Sequence, residues 1–348
     1  MYIQKLYLRH FRNYTEETFV FSPEMNLIHG TNAQGKTNLL EALFLVGTGR
    51  SFRTPHLKEL IQQRAPFFFI EAEFKKDDIM QKTRLSFDGE IKKLDVNHTS
   101  YSHFNPLLGM LPIVLLSPED ALLVTGSPAE RRSFLNLHIA QSDPLYVFHL
   151  TRYHKAIKHR NALLKQKKEE GMLPWEEIMV CAARYLRQSR ERLIQELSEE
   201  LQKAMQILSG KQDEITICYK PSFTENYAKH RLREFPFGAT LLGPHRDDLE
   251  IVINQLPAAS FASQGQIRSA IAALRLAQWK HLSKRHGHPV LFCIDDFGVH
   301  LDEARREALL SYLSSMAQVF LTSPEALRPR ACHTLRIEAG TLRGNRDF

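Results

Sequence analysis

One eight-residue stretch constrains this 348-residue chain more than any other. Gly30-Thr31-Asn32-Ala33-Gln34-Gly35-Lys36-Thr37 fits the pattern Gly-x4-Gly-Lys-Ser/Thr. The segment "NLIH" reads as a strand entering it, and "TNLLEALFLV" reads as a helix leaving it. In that context the glycines let backbone N–H groups curl around phosphate oxygens. The helix N-terminus adds unpaired donors and the positive end of its dipole. Lys36 is placed to reach the β- and γ-phosphates, and Thr37 to offer its hydroxyl to Mg²⁺. The expectation is an α/β fold around this loop that binds ATP or GTP.

A second feature lies far along the chain. Residues 289–296, "PVLFCIDD", form an unbroken apolar run ending in Asp295 and Asp296. Such a strand is buried on both faces, as in a parallel sheet. Carboxylates at the carboxyl end of such a strand lie where open α/β sheets bind ligands. Asp295 is expected to hold Mg²⁺, and Asp296 to orient or deprotonate an attacking water. Two aspartates alone read more plainly as turn residues; a phosphate loop in the same chain favours the functional reading.

A third feature precedes that strand. Ser263 and Gln266 form a capping box in "ASQGQ", ahead of an apolar-striped helix. Gly265 in the first turn costs about 1 kcal/mol relative to alanine. Either the glycine is incidental, or something approaches that backbone closely.

The rest of the chain alternates between two periods. Residues 2–29 read as two strands around a turn, with a helix from about Lys36 to Val46 stopped by Gly47 and Gly49. Residues 67–98 read as antiparallel strands. From about 118 to 210 the period is helical, with Leu145, Phe148, Tyr153, Ile157 and Leu164 on one stripe. Residues 215–260 return to short strands, and "AQVFLTS" is the expected neighbour of the acidic strand. The ends are therefore α/β and the middle helical. The division expected is a nucleotide lobe over 1–115, a helical lobe over 116–235, and a C-terminal part over 236–348 that completes the core.

Charge matters for the middle segment. Net charge is +7. Residues 151–192 carry eleven Lys/Arg against five Asp/Glu, and the remainder of the chain 35 against 34. A local basic excess points to a polyanion, although a solvated helical face has the same composition. Candidate contacts to a polyanion's phosphates are Lys155, Lys158, Arg160, Lys165, Lys167, Lys168, Arg184, Arg187 and Arg190. Arg50 and Arg53 are further candidates, while Arg131 and Arg132 have structural pairing with Glu119 or Asp120 as an equal alternative. Four cysteines without a C-x-x-C pair suggest neither a zinc site nor a disulfide framework. The charged N-terminus has no signal-peptide core and no run reaches the roughly 20 apolar residues of a membrane span, so the expected location is the cytoplasm.

The order of phosphate loop, Ser-x-Gly-Gln turn and acidic strand resembles the ABC-type ATPases, including SMC and Rad50-like heads. Further segments narrow the likeness: "LYLRHFRNY" (6–14), "GRSFRT" (49–54), "LLSPEDALLVTGSPAERRSFLN" (115–136), "GPHRDDLEI" (243–251) and "IDDFGVHLD" (294–302). Across nearly its whole length the chain resembles the bacterial RecF family. That resemblance implies an ABC-type head with an inserted, mainly helical lobe. It implies that Gly30, Thr31, Asn32, Ala33, Gln34, Gly35, Lys36, Thr37 and Asn38 bind ATP, with Arg12 and Asn13 in the turn that meets the nucleotide. Ser263, Gly265 and Gln266 would contact ATP held by a second subunit. Asp302 matches the D-loop aspartate and Thr322 the switch position. The family binds DNA, dimerises with ATP, hydrolyses it weakly, and acts with RecR and RecO to direct RecA to gaps. Val299 and His300 depart from the usual Ser-Glu of the D-loop, which bears on hydrolysis. Two alternatives stay open: an ATP-gated DNA clamp with little hydrolysis, and a transporter ATPase subunit. For "GPHRDD" the expectation is a buried ion network.

Overall fold

The first strand, β1 (Tyr2–Phe11), buries Ile3, Leu6, Leu8 and Phe11. Its alternation changes phase after Ile3 because a bulge lies between Ile3 and Lys5 in the pairing with β4 (Phe68–Lys76). The structure, a computed structural model, describes residues 1–210, 212–298, 303–314, 316–324 and 332–343. A strand absent from the sequence reading, β2 (Tyr14–Val20), folds back on β1. Its run Thr15-Glu16-Glu17-Thr18 is polar because β2 is an edge, where charge on the rim discourages further pairing. With β5 (Ile79–Phe87), β6 (Lys92–Val96) and β7 (Thr99–Tyr101), these strands form a sheet in the order β2-β1-β4-β5-β6-β7. The antiparallel reading of 67–98 is borne out.

The second sheet gathers strands from both ends of the chain. Its order is β15-β14-β3-β13-β12-β8, from β3 (Met25–His29), β8 (Ile113–Leu116), β12 (Leu291–Ile294), β13 (Val319–Ser323), β14 (His333–Glu338) and β15 (Thr341–Arg343). All but β15 pair in parallel. Every residue of β12 and β13 is buried, as central parallel strands require. Helix α1 (Lys36–Thr48) shares one apolar core with the first sheet and one face of the second. Gly47 lies inside this helix: a Cβ there would stand 2.5 Å from Ile113 Cγ2, so the glycine permits close packing on β8. Gly49, at φ 71°, ends the helix by donating to Leu45 O.

The middle of the chain covers the other face. It contains α2 (Leu122–Thr125), α3 (Pro128–Ala140), α4 (Pro144–Lys165), α5 (Leu173–Leu208), β9 (Ile215–Lys220), α6 (Arg231–Glu234), β10 (Asp248–Ile253), β11 (Leu256–Pro257) and α7 (Ala258–Phe261). Then come α8 (Gln264–His286) and α9 (Glu303–Leu313). The stripe expected on α4 is rotated. Tyr153, Ile157 and Leu164 are buried, but Leu145 and Phe148 are 58% and 50% exposed, and Tyr146 takes the inner place. Buried positions then run 146, 153, 156, 157, 160 and 164, which carries Arg160 into the core. Among the described residues no helix is long and apolar enough to cross a membrane.

Candidate nucleotide-binding site

The strand order explains the site. The phosphate loop follows β3, and Asp295 follows β12; β13 lies between them and ends near Thr322. Three neighbouring strand ends therefore converge. Thr37 Oγ1 donates to Asp295 Oδ1 at 3.0 Å, and Thr322 Oγ1 donates to the same oxygen at 2.6 Å. The Asp296 N–H donates to Thr322 Oγ1 at 2.8 Å. Asp295 is 6% exposed. Burial raises its carboxyl affinity for a proton, opposed by the Thr322 and Thr37 hydroxyls. Asp296 is half-buried with φ 51°, and its carboxylate makes no hydrogen bond among the described residues.

Within the loop, Gly30 and Gly35 have φ 152° and 119°. A Cβ on Gly30 would stand 2.3 Å from Ile337 O, and one on Gly35 2.7 Å from Asn13 Nδ2. Ala33 is left-handed at φ 64°, a conformation costing about 1 kcal/mol outside glycine. Lys36 Nζ donates to the Gly30 and Thr31 carbonyls at 2.7 and 2.9 Å. Burial lowers the Lys36 pKa, with Asp296 and Asp295 opposing. Thr31, Asn32 and Ala33 are exposed; Gln34 carries contacts to Ala339 and Gly340. The donor set suits a hard divalent cation: a threonine hydroxyl and a carboxylate share a hydrogen bond beside a glycine-lined cradle. Thr37 and Asp295 are thus the residues that fit Mg²⁺.

Arg12 and Asn13 border the loop, but their polar groups are engaged within the chain. Arg12 grips the fully buried Glu41 of α1 through Nε and Nη2, both at 2.8 Å. Asn13 donates to Gln34 O and accepts from Asn38 Nδ2. Ser263 caps α8 as expected, with Gln266 N donating to its Oγ at 3.2 Å and Gln266 Oε1 accepting from Ser263 N at 3.0 Å. Gln266 Nε2 is held by Asp213. The close approach implied by Gly265 has a partner in the same chain: a Cβ there would lie 3.3 Å from Arg305 Nη1. Asp302, Val299 and His300 lie outside the described residues.

The basic residues divide into two groups. Lys155, Lys158, Lys165, Lys167 and Lys168 are exposed and make no ion pair among the described residues. Arg184 is exposed but pairs with Glu225, and half-buried Arg187 pairs with Glu191. Arg160 and Arg190 are not surface cations. Arg160 is fully buried and pairs with Glu176 at 3.0 Å and Glu234 at 2.7 Å. Arg190, 1% exposed, donates to Asp247 at 2.5 Å, Tyr146 Oη at 3.0 Å and Pro244 O at 2.8 Å. The helical phase of α4 and α5 puts both on the buried stripe, a signal that was present in the sequence. "GPHRDD" forms the expected ion network: Asp247 also accepts from Tyr219 and Ser222, and Asp248 pairs with Arg131. Arg132 donates to the Asp247 carbonyl. Neither arginine uses Glu119 or Asp120; Asp120 pairs with Arg275 instead.

Residues 2–335 match the family model described as RecF/RecN/SMC N terminal domain. The chain is 44% identical to the DNA replication and repair protein RecF of Protochlamydia amoebophila, covering 93% of this chain and 94% of that protein. It is 40% identical to the RecF of Chlamydia caviae, with 93% and 92% covered. The chain belongs to the RecF family. A solved structure of the recombination mediator protein RecF with ATP, from the RecFOR pathway, superposes with a TM-score of 0.88 at 28% identity, covering 98% and 97% of the two chains. An Smc head from Pyrococcus furiosus, bound to the C-terminal domain of ScpA, superposes with a TM-score of 0.57 at 17% identity, which extends the shared fold to SMC heads. The ABC-type ATPase head expected from the sequence is the fold observed.

Proposed function

We propose that this chain is a RecF-type DNA repair protein that binds ATP between the phosphate loop and the ends of β12 and β13. It dimerises on ATP, hydrolyses it slowly with Mg²⁺, binds DNA without sequence readout, and acts with RecR and RecO to direct RecA. One observation carries the reading of the site: Thr37, Asp295 and Thr322, from three distant segments, meet at one carboxylate oxygen. The ATP-bound RecF structure supports the nucleotide, and the RecFOR pathway named with it supports the partners.

The chain's own residues account for each part of the activity. Loop N–H groups and Lys36 bind the polyphosphate; Lys36 exchanges its two carbonyl partners for phosphate oxygens. Bound Mg²⁺, held by Thr37 and Asp295, supplies charge neutralisation on the phosphates. Asp296 orients and deprotonates the water, since among the described residues its carboxylate makes no competing hydrogen bond. Thr322 holds Asp295 and the Asp296 backbone together. The N–H groups of Gln264 and Gly265, in the first turn of α8, have no intrahelical partner and are the donors proposed for a second subunit's γ-phosphate. The lobe division at 115 and 235 is part of the same reading, because the second sheet takes strands from before and after the helical segment.

The test is sedimentation of the protein with ATP, with ADP and without nucleotide, each with and without DNA. Asp296→Asn is expected to trap the ATP dimer and slow turnover by about 10²-fold or more, the scale of a general base. Turnover equal to the parent's would remove Asp296 from the mechanism and favour the clamp.

A further inference from the structure

The outward side of the phosphate loop is held by donors from two distant segments. Asn13 Nδ2 and Gly340 N both donate to Gln34 O, each at 2.9 Å. Tyr14 Oη donates to the next carbonyl, Gly35 O, at 2.8 Å, beside Leu39 N at 3.0 Å. Ala339 N donates to Gln34 Oε1 at 2.5 Å. In a trans peptide the C=O and N–H point in opposite directions. Fixing the Gln34 and Gly35 oxygens outward therefore turns the N–H groups of Gly35 and Lys36 inward. Two successive inward N–H groups form an anion-binding concavity.

We propose that Asn13, Tyr14 and the Ala339–Gly340 turn are positioning residues that preset these two peptide planes for a nucleotide's phosphates. The proposal rests on the nucleotide-site reading above. It changes the role of Asn13, which acts on the loop from behind. It also gives the β14–β15 hairpin a task. Ala339 and Gly340 are both left-handed, at φ 49° and 73°, which makes the tight turn that reaches Gln34. A Cβ on Gly340 would stand 2.4 Å from Asn13 O, so the two turns press directly on each other. Tyr14 is fully buried, edge-on to Phe19 at 5.6 Å, and its ring leaves the hydroxyl a single orientation toward Gly35.

Tyr14→Phe removes one donor and keeps the ring; Asn13→Ala removes another. The measurement is the Kd for ATP and ADP by titration calorimetry on the full chain, well below its unfolding temperature, together with kcat at saturating ATP. Each variant is expected to weaken binding about two- to tenfold, the range of a single hydrogen bond, with kcat unchanged. The pair together is expected to multiply the losses. A purely structural role would lower the unfolding temperature but leave the Kd of the folded protein at the parent value, and that result overturns the proposal. Lys36→Ala separates the two levels. ATP binding that survives it overturns the nucleotide-site reading. Binding lost in Lys36→Ala but intact in both other variants overturns only the positioning role.

Discussion

His245 shows how a single buried side chain ties this fold to pH. It lies between Tyr153 Oη at 2.7 Å and Thr240 O at 3.0 Å. Burial pushes its imidazole down to about 4; the Thr240 carbonyl opposes this, while Arg246, His154 and Arg132 add to it. In the unfolded chain the same group takes a proton near 6.5. Between these values the unfolded state binds more protons, so stability falls as pH falls through that window. By pH 5 the loss from His245 is up to about 2 kcal/mol. His281 and His286 are also lowered by burial and act in the same direction. Urea unfolding at pH 7.5 and pH 5 should show a large acid loss in the parent and a smaller one in His245→Gln. Equal losses would exclude His245 as a source. Ala33 carries a cost of another kind, in its backbone conformation. Its left-handed φ sits in the loop's exposed turn, and a glycine there would adopt that backbone without strain.

At the scale of elements, α4 and α5 separate what charge does from where it sits. Arg160 lies seven residues after Tyr153 and four before Leu164, in phase with the buried face. Its guanidinium is satisfied by Glu176, Glu234, Thr240 and the Tyr227 carbonyl. Removing one partner of a buried ion cluster costs about 3–5 kcal/mol, because the other charges stay buried. Arg160→Ala is therefore expected to lose that much stability, while Lys158→Ala, on the exposed face two residues away, should stay within about 0.5 kcal/mol. Chemical denaturation of both decides the matter. The same contrast explains what was legible in the sequence. The phosphate loop, β3, β12 and the capping box are local patterns, and each formed as read. Strand β2 was not legible, because an edge strand has little apolar alternation. Nor were the partners of Asn13, Gly265 and Asp248, which come from 21 or more residues away and follow from tertiary packing alone.

Across the whole molecule, the basic surface and the dimer contact make one joint prediction. On the proposed DNA-binding reading, the five exposed lysines are the candidate contacts left after the buried and paired arginines are set aside. Each phosphate neutralised contributes about −0.9 to the slope of log K against log salt. If all five engage, one protomer gives a slope of about −4.5, and an ATP dimer on one duplex about −9. Replacing Lys165, Lys167 and Lys168 by alanine should reduce the slope by about 2.7 per protomer. The doubling depends on the turn at Ser263–Gln266. A glutamate at position 265 would meet the Arg305 guanidinium in its own chain, so an uncharged side chain is the cleaner probe. Gly265→Leu should keep ATP binding to the monomer, because the phosphate loop is untouched. It should lose ATP-driven dimerisation, because the added side chain holds a partner's phosphate away from the first-turn N–H groups. DNA titrations over a salt series, with and without ATP, then read both effects: the parent's slope should double with ATP, and that of Gly265→Leu should not. A slope that doubles in the variant would mean that the dimer forms through another surface.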